Sequence, residues 1–491
     1  MKKCVIFGAG NMGRKAYYKI GEQYDILYYV DNNSKLWNEN VNGIIIVSPD
    51  FLEKNISKNT KIFVCCQAYK QIVSQLNTLR FFNIFVSLEG LVYSYNERNL
   101  LIPQEVSSIE RFQKEQYEKN ILFVQDSPCI RTNKIASIMK NRGYKVYLLY
   151  VESPTVDRSE EYKTIYDKIF TFWTQSEIVN FVNESEFDII HCSNAPDYLC
   201  ALLINCNKPL VYDCHDMESL QGKDNLAILT IEHIANTQSD GVIYTSVGVK
   251  DIAIKKFNRN AADIFVLENM ILKQFEKECC LPKISKKDNE IHCVYEGGIN
   301  GVNINSDRYF EKIWKKITDY GIHIHFYSQS DERYCMELDK KSEYLHYEGN
   351  KSSLELITEM TQYDCGLAVF NVNAENKIFL ETGTANKLYE YINSELPVLV
   401  GNIKSYIEFV EKYNVGRQLL LEEDIKKQIE NVCKLKIKKN FLQENGLTME
   451  SKADDLEKFY QNIIVKYRSK YWEKNNGKNI NTEDCFGHNS R

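Results

Sequence analysis

The feature that most constrains this chain is an alternation of strand-like and helix-like segments that starts three times. The first series places short apolar strands at 4–8, 26–30, 44–47, 62–66 and 84–87, with helical patterns at 12–20 and 70–79. The second opens at 121–125, with a helix at 133–142, and continues through strands at 145–149, 188–192, 210–212, 241–245 and 264–267. The third opens at 291–296. Its later strands lie at 322–327, 365–370 and 397–400, with helices at 309–320, 353–360 and 385–393. Strands that alternate with helices form parallel sheets with right-handed crossovers. The expected fold class is therefore α/β, with three parallel units in one chain. The expected divisions are a small unit over 1–97, a linker helix over 98–120, a unit over 121–285 and a unit over 286–448. A crossover helix over 449–472 and a tail over 473–491 follow. The tail is rich in Asn, Gly and Lys, a composition that cannot bury enough apolar surface to order itself.

Composition narrows the function classes. The charges, 61 Lys and Arg against 67 Asp and Glu, leave a net −6. A duplex-binding protein needs a positive surplus to neutralise phosphates, so nucleic acid is not an expected partner. No apolar run approaches the ~20 residues that span a bilayer. The run after Lys2-Lys3 is too short for a secretory signal. Fifteen cysteines form no Cys-x-x-Cys pair and often sit in apolar runs. They read as reduced, buried thiols of a cytoplasmic protein, and no Cys/His spacing closes a metal site.

Gly8-Ala9-Gly10-Asn11-Met12-Gly13 follows the first strand and opens a helix. That context matches a dinucleotide loop, where glycines permit a tight turn and close backbone approach. Gly8, Gly10 and Gly13 are candidate phosphate-loop residues. Asp31, at the end of the second strand, is a candidate ribose ligand. No Tyr-x-x-x-Lys pair accompanies them. The stretch 5–48, with Val30-Asp31-Asn32-Asn33 and Gly43-Ile44-Ile45-Ile46-Val47-Ser48, resembles small Rossmann-like domains attached to bacterial polysaccharide-synthesis enzymes. That resemblance implies a nucleotide ligand for this unit.

The most informative segment is 384–400, Thr384-Ala385-Asn386-Lys387-Leu388-Tyr389-Glu390-Tyr391-Ile392 followed by Leu396-Pro397-Val398-Leu399-Val400. Leu388, Tyr391 and Ile392 recur at helical spacing and face a core. Asn386, Lys387 and Glu390 share another face, because residues three and four apart are neighbours. A carboxylate one turn into a helix can accept from both hydroxyls of a ribose. The helix start offers free N–H groups to a diphosphate. The alternative reading of the same residues is a surface Lys387–Glu390 pair.

This segment resembles the donor-site helix of family four glycosyltransferases of the GT-B fold. Val294-Tyr295-Glu296-Gly297-Gly298, Asp364-Cys365-Gly366-Leu367, Asp188-Ile189-Ile190-His191, Val211-Tyr212-Asp213-Cys214-His215-Asp216, Glu232, 241–246 and Val266-Leu267-Glu268-Asn269 are similar to other pieces of that family, in order, over 121–465. The resemblance implies two facing Rossmann-like domains preceded by the third, small one. It implies a hexosyltransferase that takes a UDP- or GDP-linked sugar, retains anomeric configuration and requires no cofactor or metal. The acceptor would be a glycan or lipid-linked hydroxyl in bacterial surface-polysaccharide or capsule synthesis. Gly297, Gly298, Arg308, Thr384, Asn386, Lys387 and Glu390 are then the donor site. His215 and Glu381 are the catalytic candidates, and Arg131 lines the acceptor side.

Two departures stand out. Glu381 and Glu390 are separated by eight residues where the family has seven. No Lys or Arg occurs from Ile299 to Asp307, where the family has basic residues, so either Arg308 and Lys387 supply charge to a leaving diphosphate, or the loop refolds, or transfer is weak. A nucleotide-sugar-binding protein without transfer activity, and an NAD-dependent sugar epimerase or oxidoreductase using the first unit, are the competing readings. Lys134, Lys140 and Arg142 would offer a basic face for peripheral membrane contact. His323 and His325 alternate on one strand face and read as packing.

Overall fold

The computed structural model describes residues 2–88, 91–95, 101–103, 119–126, 128–150, 164–171, 175–194, 197–222, 225–273, 279–383 and 386–475. Three sheets follow one another. The first contains β1 (Lys2–Phe7), β2 (Tyr24–Val30), β3 (Asn40–Val41), β4 (Ile44–Val47), β5 (Lys61–Val64), β6 (Ile84–Leu88), β7 (Leu91–Tyr95) and β8 (Leu101–Pro103), in the order β3-β4-β2-β1-β5-β6-β7-β8. Strands β4, β2, β1, β5 and β6 are parallel, whereas β7 and β8 pair antiparallel at one edge. The first sheet thus runs past residue 97. Most of the expected linker helix, 104–118, lies outside the described residues.

The second sheet holds β9 (Lys119–Gln125), β10 (Tyr144–Tyr150), β11 (Lys168–Thr171), β12 (Ile189–Ser193), β13 (Leu210–Cys214), β14 (Gly241–Tyr244) and β15 (Ile264–Val266), ordered β11-β10-β9-β12-β13-β14-β15. The third holds β16 (His292–Glu296), β17 (His323–Tyr327), β18 (Leu345–Tyr347), β19 (Cys365–Ala368), β20 (Val398–Val400) and β21 (Gly416–Gln418), ordered β18-β17-β16-β19-β20-β21. Both are wholly parallel among the described pairs. Parallel strands are covered on both faces, which explains near-continuous apolar runs such as Ile121–Val124. Along β9, Leu122 and Val124 pack with Phe181 and Leu199 in one core. Ile121 and Phe123 belong to a larger core that continues through Tyr460 into Val294, Leu388 and Tyr391 of the third sheet's unit.

That continuity is made by the last helix. The expected crossover helix runs Ala453–Asn475, after a short 3-10 turn at Met449–Lys452, so 473–475 are helical; the rest of the expected tail lies outside the described residues. The helix returns to the second sheet. Tyr460 Oη meets His191 Nδ1 at 2.7 Å, and Glu457 binds Lys119 and Arg142. No described helix is long and apolar enough to cross a membrane.

Candidate functional site

The carboxyl ends of the second and third sheets border one cleft of about 700 Å³. Ligands of open parallel sheets bind at such strand ends. On the third sheet's side, β16 ends in Glu296 and turns at Gly297, whose φ of +126° is a conformation that favours glycine. Gly297 N donates to Tyr327 O at 3.0 Å, and Ile299 N to Ser330 Oγ at 2.7 Å. Asn300 N donates to Arg308 O at 2.9 Å and folds the loop back on itself. This return brings Arg308 against the glycines. A Cβ on Gly298 would stand 2.5 Å from Arg308 Nη1.

Lys387 lies in the first turn of the helix Asn386–Asn393 and is 7% exposed. Its Nζ sits over the rings of Tyr295 and Phe370, 4.8 and 4.9 Å from their centroids. Ring faces attract a desolvated ammonium, so these two rings hold the charge in place. A Cβ on Gly297 would be 3.2 Å from that Nζ. Burial lowers the Lys387 proton affinity, and the nearby Glu296 opposes the shift. The gap in basic residues after Gly298 is thus filled from two directions, by Arg308 from the returning loop and by Lys387 from the helix.

Glu390 stands one turn beyond Lys387 and lines the same cleft, with Asn386 at the helix start. Its neighbours are Glu296, Lys134 and Lys387. Burial pushes its carboxyl up to about 8, Glu296 adds to the rise, and Lys134 and Lys387 counter it. Lys134 comes from the helix Ile130–Asn141 on the second sheet's side. It is 6% exposed and donates to Met270 O at 3.0 Å. Neither Glu296 nor Lys134 was assigned a site role from sequence. Glu296 had a visible signal, a carboxylate directly before the glycine pair. Lys134 had none, because only the docking of the two sheets brings it to Glu390.

The opposite wall carries His215, Asp216, Met217, Thr245 and Asn269. Asn194 fixes its shape. Its Oδ1 accepts from His215 N at 3.0 Å and Asp216 N at 3.2 Å. His215 Nδ1 is buried without a hydrogen-bond partner. Burial lowers its proton affinity, Asp213 opposes this and Arg131 reinforces it, so the ring is neutral near pH 7. Glu232 is an internal strut. Its carboxylate accepts from Ser219 N at 2.8 Å and from Lys256 Nζ at 2.7 Å.

Several expected positions differ. Arg131 does not line the cleft; its guanidinium clamps Asp213, with Nε–Oδ2 and Nη2–Oδ1 both 2.9 Å, and reaches Asn269 Oδ1 at 2.6 Å. Burial would raise the Asp213 carboxyl, but Arg131 and His191 outweigh it and hold the group well below the usual range. Glu381 also lies off the cleft. In the helix Lys377–Thr382 it shares a phase with Lys377 and pairs with it at 3.7 Å, while Leu380 and Thr382 face the cleft. Thr384 lies outside the described residues. The expected basic face is consumed internally: Lys134 is buried, Lys140 donates to Ile165 O, and Arg142 pairs with Asp454 and Glu457.

In the first unit, Gly8 and Gly13 close-pack the loop. A Cβ on Gly13 would lie 1.8 Å from Gly8 O, whereas space around Gly10 is open. Asp31 does not stand free as a ribose ligand. Its Oδ2 accepts from Ala9 N and its Oδ1 from Asn33 N, both at 2.8 Å, so the carboxylate ties the loop together.

Two facing parallel sheets with a glycine turn, two cations and a carboxylate at their common cleft form a GT-B arrangement, and residues 132–271 match Glycosyltransferase Family 4. Residues 1–82 match the family described as C2185-like, N-terminal. Among solved structures, the chain is similar to HepE of Anabaena in complex with UDP-glucose, with 16% identity, 73% of this chain and 100% of that chain covered, and a TM-score of 0.48. It is also similar to a glycosyltransferase of Rickettsia africae, with 12% identity, 74% and 100% covered, and a TM-score of 0.45. No curated protein matches the chain.

Proposed function

We propose that the cleft binds a UDP- or GDP-linked sugar on its Gly297 side and transfers the sugar to an acceptor hydroxyl on its His215 side. Anomeric configuration is retained, and the acceptor is a glycan or lipid-linked sugar of a bacterial surface polysaccharide. One observation carries this reading: Lys387, Arg308 and Glu390, from two separate segments, converge on the Gly297–Gly298 turn inside one interlobe cleft. The turn admits a diphosphate close to the backbone, the two cations offset its charge, and Glu390 accepts from the ribose diol. In transfer, the bond from C1 to the β-phosphate oxygen breaks and the bond from C1 to the acceptor oxygen forms. The acceptor proton passes to the leaving diphosphate on the same face. Preorganised charge at that leaving group is the main source of rate. His215, neutral and unpartnered, hydrogen-bonds the transferred sugar.

An Arg308 turned away from the cleft would favour the binding-only reading, and Arg308 instead lies against Gly298. In the first unit both Asp31 oxygens already accept one backbone N–H each, which leaves fewer acceptor sites for the ribose of a nicotinamide cofactor. A panel of UDP- and GDP-sugars with glycan acceptors tests the proposal. Free nucleoside diphosphate should appear with one donor. Absence of turnover with every donor, together with unchanged nucleotide binding in Glu390→Ala, would overturn it.

A further inference from the structure

The geometry points to Asn269 as a donor-binding residue contributed by the second sheet's lobe: its side-chain amide, held at the oxygen by Arg131, turns its N–H groups into the cleft and donates to the diphosphate of the nucleotide sugar. The inference rests on the proposed function and deepens it. It names a residue that completes the phosphate site from the side opposite Lys387 and Arg308.

The orientation follows from the chemistry of the two partners. A guanidinium has donors and no acceptor, so the side of an Asn amide that meets it is the oxygen. Arg131 Nη1 donates to Asn269 Oδ1 at 2.6 Å. The arginine cannot give way, because its Nε and Nη2 are both spent on buried Asp213 at 2.9 Å. Asp213 is in turn braced by His191, whose Nε2 lies 3.4 Å from Oδ2. With Oδ1 pinned, the planar amide carries Nδ2 to its other side. Asn269 is half-buried and lines the cleft. Among the described residues its Nδ2 is neither buried nor hydrogen-bonded to the protein.

The neighbours of Asn269 place it across from the donor helix. Glu268 accepts from Tyr389 of the helix Asn386–Asn393 at 2.8 Å, and Met270 O accepts from Lys134 at 3.0 Å. The amide between them thus faces the first turns of that helix, where Asn386 lines the cleft and Lys387 approaches the Gly297 turn. An anionic oxygen is the acceptor this amide suits best. The guanidinium at Oδ1 polarises the amide and strengthens its N–H donors, and such donors bind a charged oxygen more tightly than a neutral one. The charge of Arg131 is itself spent on Asp213, so the arginine reaches the ligand only through Asn269.

Asn269→Asp separates this role from a structural one. It keeps an oxygen for Arg131, so the melting temperature should hold, but it replaces the N–H donors with a second oxygen facing the diphosphate. Calorimetry with UDP, GDP and inorganic pyrophosphate measures the effect. Asn269→Asp should weaken every ligand that binds wild type by roughly tenfold to a hundredfold. Asn269→Ala, which removes the donors without adding charge, should weaken them less. An Asn269→Asp affinity within twofold of wild type would overturn the inference. So would unchanged nucleotide binding with a raised KM for the acceptor, which would assign the amide to the acceptor instead. Lowered melting temperatures in both variants, with Asn269→Asp binding no worse than Asn269→Ala, would reduce Asn269 to a partner of Arg131 and also overturn it. Pyrophosphate keeps the two claims apart. If it binds wild type and is weakened in Asn269→Asp while neither nucleotide binds, the anion contact stands and the nucleoside reading fails. If none of the three binds wild type, both fall.

Discussion

Lys387 combines burial, two aromatic faces and proximity to a glycine turn, and its contribution is therefore electrostatic rather than structural. A charge-assisted contact to a diphosphate is worth about 1.5–3 kcal/mol, so Lys387→Met should weaken nucleotide binding roughly tenfold to a hundredfold while the melting temperature holds. Isothermal calorimetry against the same donor measures this, and an affinity within twofold of wild type would refute it. Arg131 behaves oppositely. It is buried against Asp213, and removing it strands a carboxylate in the core. Arg131→Ala should cost about 3–5 kcal/mol in urea denaturation, as loss of a buried pair does. Glu381, paired only with Lys377 near the surface, should tolerate Glu381→Gln with stability changed by less than about 0.5 kcal/mol and unchanged kcat.

At the scale of elements, the third sheet carries a histidine array on one face. His292 pairs in register with His323, and His325 with His346. His292 Nδ1 lies 2.9 Å from His325 Nε2, and His323 Nδ1 lies 2.7 Å from His346 Nε2. Asp288, Glu290 and Glu348 bind the outer nitrogens, and Tyr344 and Tyr363 cover the rings. Burial, with His325 and His323 adding, lowers His346 from 6.5 to about 4, and burial lowers His292 too. The His292 and His346 rings are harder to protonate in the folded chain, so the unfolded chain takes up protons first there as pH falls. Stability from them is complete above about 6.5 and is lost progressively as pH falls toward 4. Thermal melts should show Tm dropping between pH 7 and 5, with a shallower drop in His346→Asn; identical slopes would contradict the assignment. The array also illustrates how legible an element can be. Alternation of His323 and His325 places them on one face in any strand, and that much was readable. Their partners His292 and His346 lie on neighbouring strands, and only sheet order and register could supply them.

Across the whole molecule, the two lobes are held by a few close contacts and one returning helix. Ser246 Oγ donates to Thr382 O, Tyr389 Oη donates to Glu268 at 2.8 Å, and the backbone of Thr382 approaches Gly248. The helix Ala453–Asn475 lays Phe459 and Ile463 over Gly241, where a Cβ would come within 2.8 and 2.9 Å of them. Gly241→Ala should therefore lift this helix and cost about 1–3 kcal/mol, the usual penalty of overpacking. In the Gly241→Ala, Phe459→Ala double variant the costs should fall short of additive, because the second change relieves the first. Strict additivity in a double-mutant cycle would show that the two do not press on each other.

The division between chain and fold is clear in particular residues. Period-two and period-3.6 patterns are local, so the parallel core of each of the three sheets, the Gly297 turn and the helix bearing Lys387 and Glu390 were all determined by the sequence itself. Short edge strands such as β11, β18 and β21 were not legible as strands, because few residues carry their pattern and pairing with a neighbour makes them. The meeting of Glu296, Glu390 and Lys134, the burial of Arg131 against Asp213 and the outward phase of Glu381 were decided only by tertiary structure. Each depends on how two separately coded surfaces dock, and the energy of an ionisable group is set by what surrounds it rather than by its place in the chain.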